Sequence, residues 1–156
     1  DNPALVKSVQ QMMTLVEKTP VALRILAKLD PDWVLLRQEF NPQLEGNYTL
    51  YLAPYTFKLQ LVGLVGNQTL SIQEGDQLAD YLADVSYQES ADKDFVYLIT
   101  PEGQWHKMPV ALWNRVDSEP APGSMIFVGF ESSLLPDNMP DLNEQIASYL
   151  ANRIPQ

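Results

Sequence analysis

The segment EPAPGSMIFVGF, residues 119–130, constrains the fold more than any other part of this 156-residue chain. Pro120 and Pro122 lack a backbone N–H and fix φ, so neither a helix nor an inner strand runs through them. Gly123 permits a tight turn, and the apolar residues 125–128 favour a pleated, buried backbone. The segment therefore predicts a sharp entry into a buried strand.

Charge and composition narrow the possible partners. The net charge is −10 and the chain has no cysteine. Nucleic acids and anionic membranes require clustered Lys and Arg, so the charge argues against both as the main partner. Disulfides and thiolate metal sites are excluded, and no apolar run approaches the roughly 20 residues of a membrane span. The chain begins at Asp1 without a signal peptide, so we expect that a targeting segment has been removed.

The first third of the chain predicts one helix followed by strands. An Asn-Pro pair is typical of a helix start, and the apolar spacing that follows it predicts a helix over residues 4–18. Residues 20–40 fit helical spacing and strand alternation alike. Alternation and a central Asp-Pro-Asp favour a hairpin of two strands, and YTLYL at 48–52 predicts another strand.

The remaining two thirds predict strands around one helix. Predicted strands occupy residues 57–65, 94–100 and 104–114, the last being a strand pair or a strand with an irregular end. After Gly75, Asp76 can cap a helix whose apolar face begins at Leu78. Asp141 and Glu144 resemble a capping box ahead of an apolar C-terminal helix.

This order of elements predicts an α+β fold of the β-grasp kind, in which a ubiquitin-like sheet curls around one helix. An N-terminal helix and a hairpin precede that sheet, and a C-terminal amphipathic helix follows it. The predicted units are residues 1–54 for the helix and hairpin, 55–131 for the β-grasp domain, and 132–156 for the last helix.

Several motifs resemble a known protein family. Residues 57–104 contain VGLV, LSIQEGDQLADYL, a short SAD turn and a strand that ends in PEG. This stretch resembles the soluble-ligand-binding β-grasp (SLBB) domains of bacterial polysaccharide export proteins. More specifically, EGNYTL and WNRVDSEPAPGS are similar to segments of the GfcC-type family of capsule and exopolysaccharide biosynthesis proteins. The resemblance extends over most of the chain.

The resemblance implies a secreted, periplasmic protein of β-grasp domains, with a helical insertion and no established enzymatic activity. Family members are longer at the N-terminus, so residues 1–54 would complete a first β-grasp domain whose opening strands are missing here. We therefore expect a non-enzymatic accessory protein of capsule or exopolysaccharide assembly and export, without a cofactor. Its partner would be a polysaccharide or an outer-membrane export protein.

Arg37 is the first candidate for binding a ligand. In the predicted hairpin it shares a face with apolar side chains, where an unpaired guanidinium would be costly. Arginine suits bidentate recognition of carboxylates and phosphates, and acidic sugars carry such groups. A structural ion pair, for example with Glu39, would explain the position equally well.

Aromatic residues supply the other candidates. Trp105, Trp113 and Tyr51 have ring faces on which sugars could stack, although aromatic residues in strands are more often half-buried core. Asn114 and Arg115 directly follow Trp113 and add an amide and a guanidinium. The alternative is that Asn114 only forms a turn that leads toward the proline-rich segment.

Two other functions stay open at this point. A protein-docking module would use a sheet edge and the last helix, unless that helix packs on its own sheet. A carbohydrate hydrolase would need two carboxylates about 5 to 10 Å apart, but Asp76, Asp80 and Asp84 have the spacing of a solvated helix face. The only histidine, His106, has no nucleophile motif nearby. We therefore predict neither a catalytic residue nor a metal site.

Overall fold

The computed structural model describes residues 2–25, 31–37, 45–52 and 55–155. The elements, in chain order, are α1 (Pro3–Lys18), α2 (Pro31–Leu36), β1 (Lys58–Gly63), β2 (Gln68–Ser71), α3 (Leu78–Leu82), β3 (Phe95–Ile99), β4 (Trp105–Pro109), β5 (Met125–Val128), a 3-10 helix (Ser132–Leu134) and α4 (Leu142–Ala151). This arrangement confirms a mixed α+β fold. Among the described residues, no helix has the length and apolar character needed to cross a membrane.

The five strands form one mixed sheet in the order β2-β1-β5-β3-β4. β1 and β5 are parallel and place Leu61 opposite Ile126, while the other neighbouring strands pair antiparallel. Every residue of β5 is buried. The structure thus confirms that the proline-glycine turn leads directly into a buried strand.

The last helix, α4, packs on the β3 and β4 side of the sheet. Its residues Ile146 and Leu150 are buried. The buried side chain of Asn143 donates to the Phe130 carbonyl at 2.7 Å and accepts from the Phe130 N–H at 2.9 Å. The apolar side of α4 therefore packs on the protein's own sheet. This is one of the two alternatives that the sequence left open.

The predicted capping box of α4 is wrong. Asp141 makes no side-chain capping bond. Glu144 instead accepts a 2.8 Å hydrogen bond from the Tyr97 hydroxyl and lies 3.4 Å from the Lys107 amine. Glu144 thus ties α4 to β3 and β4 through charge-assisted contacts.

The first helix begins as predicted, since the Asn2 side chain accepts from two backbone N–H groups of the first turn. Helical spacing of its apolar residues predicts a buried stripe of Leu5, Val9, Met12 and Val16. Met12 is buried as predicted, but the stripe is displaced in part, since Ser8 is buried and Val9 is 42 % exposed. The displacement has a polar cause. Ser8 donates to the Gln88 side chain at 2.8 Å, and Gln11 donates to the Val65 carbonyl at 2.8 Å.

The hairpin predicted over residues 21–40 is wrong, because Pro31–Leu36 form a helix. Pro31 and Asp32 open the short helix α2, so the Asp-Pro-Asp sequence starts a helix instead of a turn, as Pro at a first helical position allows. Arg37 therefore follows a helix and does not share a strand face. Residues 26–30 and 38–44 lie outside the described part. The strand predicted at 48–52 is not observed either, since these residues form no ladder with any other described residue.

The short helix α3 confirms the helix predicted after Gly75, with Leu78 and Leu82 buried. Its capping residue is Gln77 instead of the predicted Asp76. The Gln77 N–H donates to the Asp80 carboxylate at 2.8 Å. The predicted strand at 104–114 is a single strand, β4, with an irregular end.

Candidate functional site

A groove of about 790 Å³ opens between the ends of α1 and α4, the first residues of β1 and β5, and the turn between β3 and β4. Its volume is within the roughly 300–1,000 Å³ typical of small-molecule sites. The lining includes four of the chain's ten cationic residues and, among the described residues, no acidic one. These cations are Lys18, Arg24, Lys58 and Arg153. In a chain of net charge −10, the groove is a local concentration of positive charge.

The segment after α1 places Arg24 in this groove. It runs antiparallel to the end of α4, where Val21 and Arg153 form a bridge and the Ala22 N–H donates to the Asn152 carbonyl at 3.0 Å. Backbone pairing of this kind fixes the two segments relative to each other. It brings Arg24 beside Arg153, although 129 residues separate them in the sequence.

Both guanidinium groups are held by backbone carbonyls. Arg24 donates from Nη1 to the Pro101 carbonyl at 2.7 Å and from Nη2 to the Arg153 carbonyl at 2.6 Å. Arg153 donates from Nη2 to the Gly123 carbonyl at 3.1 Å. Within the described residues, the ion pairs of the structure involve other cations. Carbonyls orient the two arginines but do not neutralise their charges.

The electrostatics of the pair are unfavourable without an anion. Burial, and then the positive charge of Arg24, lower the pKa of Arg153 to about 10. Arg153 therefore stays protonated at neutral pH, in a place that disfavours its charge. The planar fork of a guanidinium matches a carboxylate or a phosphate in bidentate geometry. An anion in the groove would therefore relieve the unfavourable charge of the pair.

The proline-glycine turn before β5 forms one wall of the groove. Gly123 has a positive φ of 83°, and its N–H donates to the Lys58 carbonyl at 2.8 Å. Its own carbonyl accepts from Arg153. The turn therefore joins the start of β1 to the arginine pair, in addition to starting the buried strand.

A second glycine makes room for Arg24. Gly103, in the turn between β3 and β4, has a φ of 91°. A Cβ atom at this position would lie 2.8 Å from the Ala151 carbonyl oxygen and 3.0 Å from the Cδ of Arg24. The close approach of Arg24 to the turn therefore requires a residue without a side chain.

The other lining residues suit a sugar. Tyr55 is 74 % exposed and contacts Phe57 edge-to-face, with 5.1 Å between ring centroids. The amide side chains of Gln60, Asn67 and Gln68 also line the groove and are exposed. Amides can donate to and accept from hydroxyl groups. The groove thus combines cations, amides and an exposed ring.

None of the six predicted ligand-binding residues lines this groove. Trp105 is half-buried beneath α4, where its indole donates to the Ser148 hydroxyl at 3.0 Å and its ring lies 5.7 Å from that of Tyr97. Arg37 is exposed immediately after α2, and Tyr51 is 47 % exposed. The ligand-binding role of these residues stays a prediction.

The Trp-Asn-Arg segment lies in the loop that follows β4. Trp113 is 75 % exposed, and Arg115 lies 4.0 Å from the Asp117 carboxylate. The Asn114 amide atoms are buried without a hydrogen-bond partner among the described residues. The segment projects its indole into solvent, away from the lining of the groove.

Sequence reasoning missed Arg24 and Arg153. One signal was available: Arg24 interrupts the apolar run VALRIL, and Arg153 follows the apolar end of α4. A charge in an apolar run has to find a partner. The sequence alone does not show that the two arginines are neighbours in the fold.

A shallower cavity of about 330 Å³ contains the acidic residues that raised the question of hydrolysis. Asp76, Asp80 and Asp84 line it together with Tyr81. Asp80 is engaged as the acceptor for the first turn of α3. Among the described residues, no three His, Asp or Glu side chains are placed so that they could hold one metal ion together. This cavity carries negative charge and adjoins the groove, since Gln68 lines both.

Comparison with known proteins places the chain in a family. The family model for the N-terminal part of the capsule biosynthesis protein GfcC matches residues 1–55, and the model for the GfcC C-terminal part matches residues 66–155. The uncharacterized protein YjbG of Escherichia coli K12 is 36 % identical over 159 residues. That alignment covers all of this chain and 63 % of YjbG.

Proposed function

Because this chain belongs to the GfcC family of capsule biosynthesis proteins, we propose that it is a non-enzymatic, periplasmic accessory protein. In this role it binds polysaccharide during capsule or exopolysaccharide assembly and export. The observation that carries the proposal is the groove with four cations and no acidic residue among its described lining. Such a groove attracts an anionic polymer to an otherwise acidic protein.

The proposal includes a β-grasp fold for the sheet. Two features support it: the parallel β1–β5 pair at the centre, and the antiparallel pairs β1–β2 and β3–β4 at the two sides. Helix α3 lies between these two pairs in the chain. The groove lies at the end of the sheet where β1 and β5 begin.

Binding without catalysis agrees with the lining. Its cations, amides and exposed tyrosine can hold the charge, the hydroxyls and the ring face of a saccharide. Glycoside hydrolysis needs a pair of carboxylates across the scissile bond, and the described lining residues supply none. The groove is therefore suited to holding a saccharide chain in place.

NMR titration of the isotope-labelled protein tests the proposal. The probes are oligosaccharides cut from the surface polysaccharide of the producing cell, in acidic and neutral fractions. We expect local chemical-shift changes at Arg24, Lys58, Gly123 and Arg153. The absence of any shift at millimolar oligosaccharide would refute saccharide binding, and shifts confined to Trp105 or Trp113 would place the site elsewhere.

Exposed leucines favour one alternative, a protein-docking module of the export machinery. Leu23, Leu35, Leu36 and Leu52 are all more than 80 % exposed. Single exposed leucines are common on protein surfaces, whereas a contiguous apolar patch is typical of protein contacts. In that case a pull-down with export proteins would succeed, and substitution of these leucines by Ser would abolish it while saccharide titration gave no shifts.

A further inference from the structure

We propose that Arg24 and Arg153 together bind the carboxylate of an acidic sugar, so that the groove selects acidic over neutral saccharides. This inference rests on the function proposed above and names the chemical class of its ligand. Lys58 and Lys18 would add positive charge along the chain of the saccharide. The amide side chains would form hydrogen bonds with the sugar hydroxyls, and Tyr55 would contact the face of the sugar ring.

The first argument is the way the two arginines are held. Pro101, Gly123, Leu150 and the Arg153 backbone supply carbonyl acceptors at 2.6 to 3.5 Å. Each guanidinium has five N–H donors, and the contacts of Arg24 and Arg153 use only some of them. The carbonyls thus fix both groups in position and leave donors for a ligand, which is a preorganised arrangement.

The second argument is charge. Two neighbouring guanidinium groups repel each other, and no carboxylate in the described part of the chain pairs with either one. The chain has twenty acidic residues, so a carboxylate partner would have been easy to place here. A structural role alone would favour such a partner. The arrangement instead suits an anion that arrives from outside.

The third argument is the surroundings of the pair. Tyr55, 74 % exposed, and the exposed amide of Gln60 line the same groove. In a uronic acid the carboxylate is attached directly to the sugar ring. One residue of such a sugar therefore presents a charge for the arginines and, beside it, hydroxyls and a ring face for the other lining residues.

Isothermal titration with a matched pair of ligands tests the inference. The ligands are tetragalacturonate and the same tetrasaccharide with its carboxylates reduced to alcohols. We expect the acidic form to bind at least about tenfold more tightly, the size expected for charge-assisted hydrogen bonds. This comparison uses the unaltered protein, so it does not depend on whether a variant folds.

Four variants test which residues cause the preference for the acidic tetrasaccharide. Arg24→Gln and Arg153→Gln should each weaken tetragalacturonate binding by about tenfold and leave the weaker binding of the reduced form unchanged. Lys58→Gln, an exposed groove cation, should weaken it about two- to threefold. Lys93→Gln, an exposed cation outside the groove, should have no effect and serves as the control.

The possible failures are distinguishable. Equal affinity for the two tetrasaccharides would overturn acid selection and leave saccharide binding intact. Tetragalacturonate affinity unchanged in folded Arg24→Gln and Arg153→Gln would also overturn the inference. If neither tetrasaccharide nor the cell's own oligosaccharides bind at millimolar concentration, the proposed function fails and the inference with it.

Discussion

Replacing Arg153 by Met is expected to leave the protein about as stable as before, although the change removes two hydrogen bonds. Burial and the charge of Arg24 lower the pKa of Arg153 to about 10, from an ordinary value above about 12. One pKa unit corresponds to about 1.4 kcal/mol, so the folded state carries an electrostatic cost on the order of 3 kcal/mol. Methionine removes this cost and keeps most of the apolar packing.

The hydrogen bonds lost in this variant offset most of the gain. They run to the Gly123 carbonyl at 3.1 Å and to the Leu150 carbonyl at 3.5 Å. A hydrogen bond from a charged group is worth about 1.5–3 kcal/mol at good geometry, and the longer of the two contributes less. The loss and the gain nearly cancel, so we expect the free energy of unfolding to change by less than about 1 kcal/mol.

Urea denaturation at neutral pH, without added anion, measures this change. Arg115→Met is the control, because Arg115 is exposed and its pair with Asp117 spans 4.0 Å; it should change stability by less than about 0.5 kcal/mol. A loss of about 2 kcal/mol or more in Arg153→Met would refute the reasoning, since Arg153 would then be a stabilising structural residue.

Three further predictions concern the contacts that build the groove and hold α4. Gly103→Ala should destabilise the protein by about 1–3 kcal/mol and weaken tetragalacturonate binding, because the new Cβ would contact Arg24. Gly75→Ala controls for backbone strain in both assays, because Gly75 has a φ of 88° but open space around it. Equal losses in the two variants would contradict the prediction. Asn143→Ala should cost about 2–4 kcal/mol in urea unfolding, because it leaves the buried N–H and carbonyl of Phe130 unpaired, whereas exposed Gln145→Ala should be neutral. For Glu144, burial acts to raise the pKa, but the hydrogen bond from Tyr97 and the charge of Lys107 lower it overall. The native state thus binds a proton at Glu144 less readily than the unfolded state, so stability should fall as the pH drops below about 4.5. Glu144→Gln should make this fall smaller. The same pH profile of stability in the variant as in the unaltered protein would contradict the prediction.

The strands were predictable where burial leaves a local pattern. The apolar runs of β3 and β5 appear directly in the sequence, since a strand buried on both faces favours continuous apolar residues. β1 shows the alternation of a half-buried strand, with Leu59 and Leu61 buried and its two polar residues exposed. The segment at 20–40 has no such pattern. Its alternating apolar residues suit a strand, but Pro31 at a first helical position is compatible with a helix as well, and the helix forms.

The groove was not predictable for a different physical reason. Arg24 and Arg153 become neighbours only when the segment after α1 pairs with the end of α4. That pairing depends on the packing of two helices on one sheet, including the Tyr149 hydroxyl that donates to the Val16 carbonyl at 3.2 Å. No local pattern encodes contacts of this kind, so the candidates chosen from the sequence were exposed or half-buried residues outside the groove.

A crystal structure of the protein with an acidic oligosaccharide from the producing cell would test the central claim most directly. The account predicts a sugar carboxylate within about 3 Å of the guanidinium nitrogens of Arg24 and Arg153, the distance of a charge-assisted hydrogen bond. The sugar chain should extend past Lys58 and Tyr55. A bound oligosaccharide elsewhere, for example on Trp113 and Arg115, with the arginine pair unoccupied, would contradict the account.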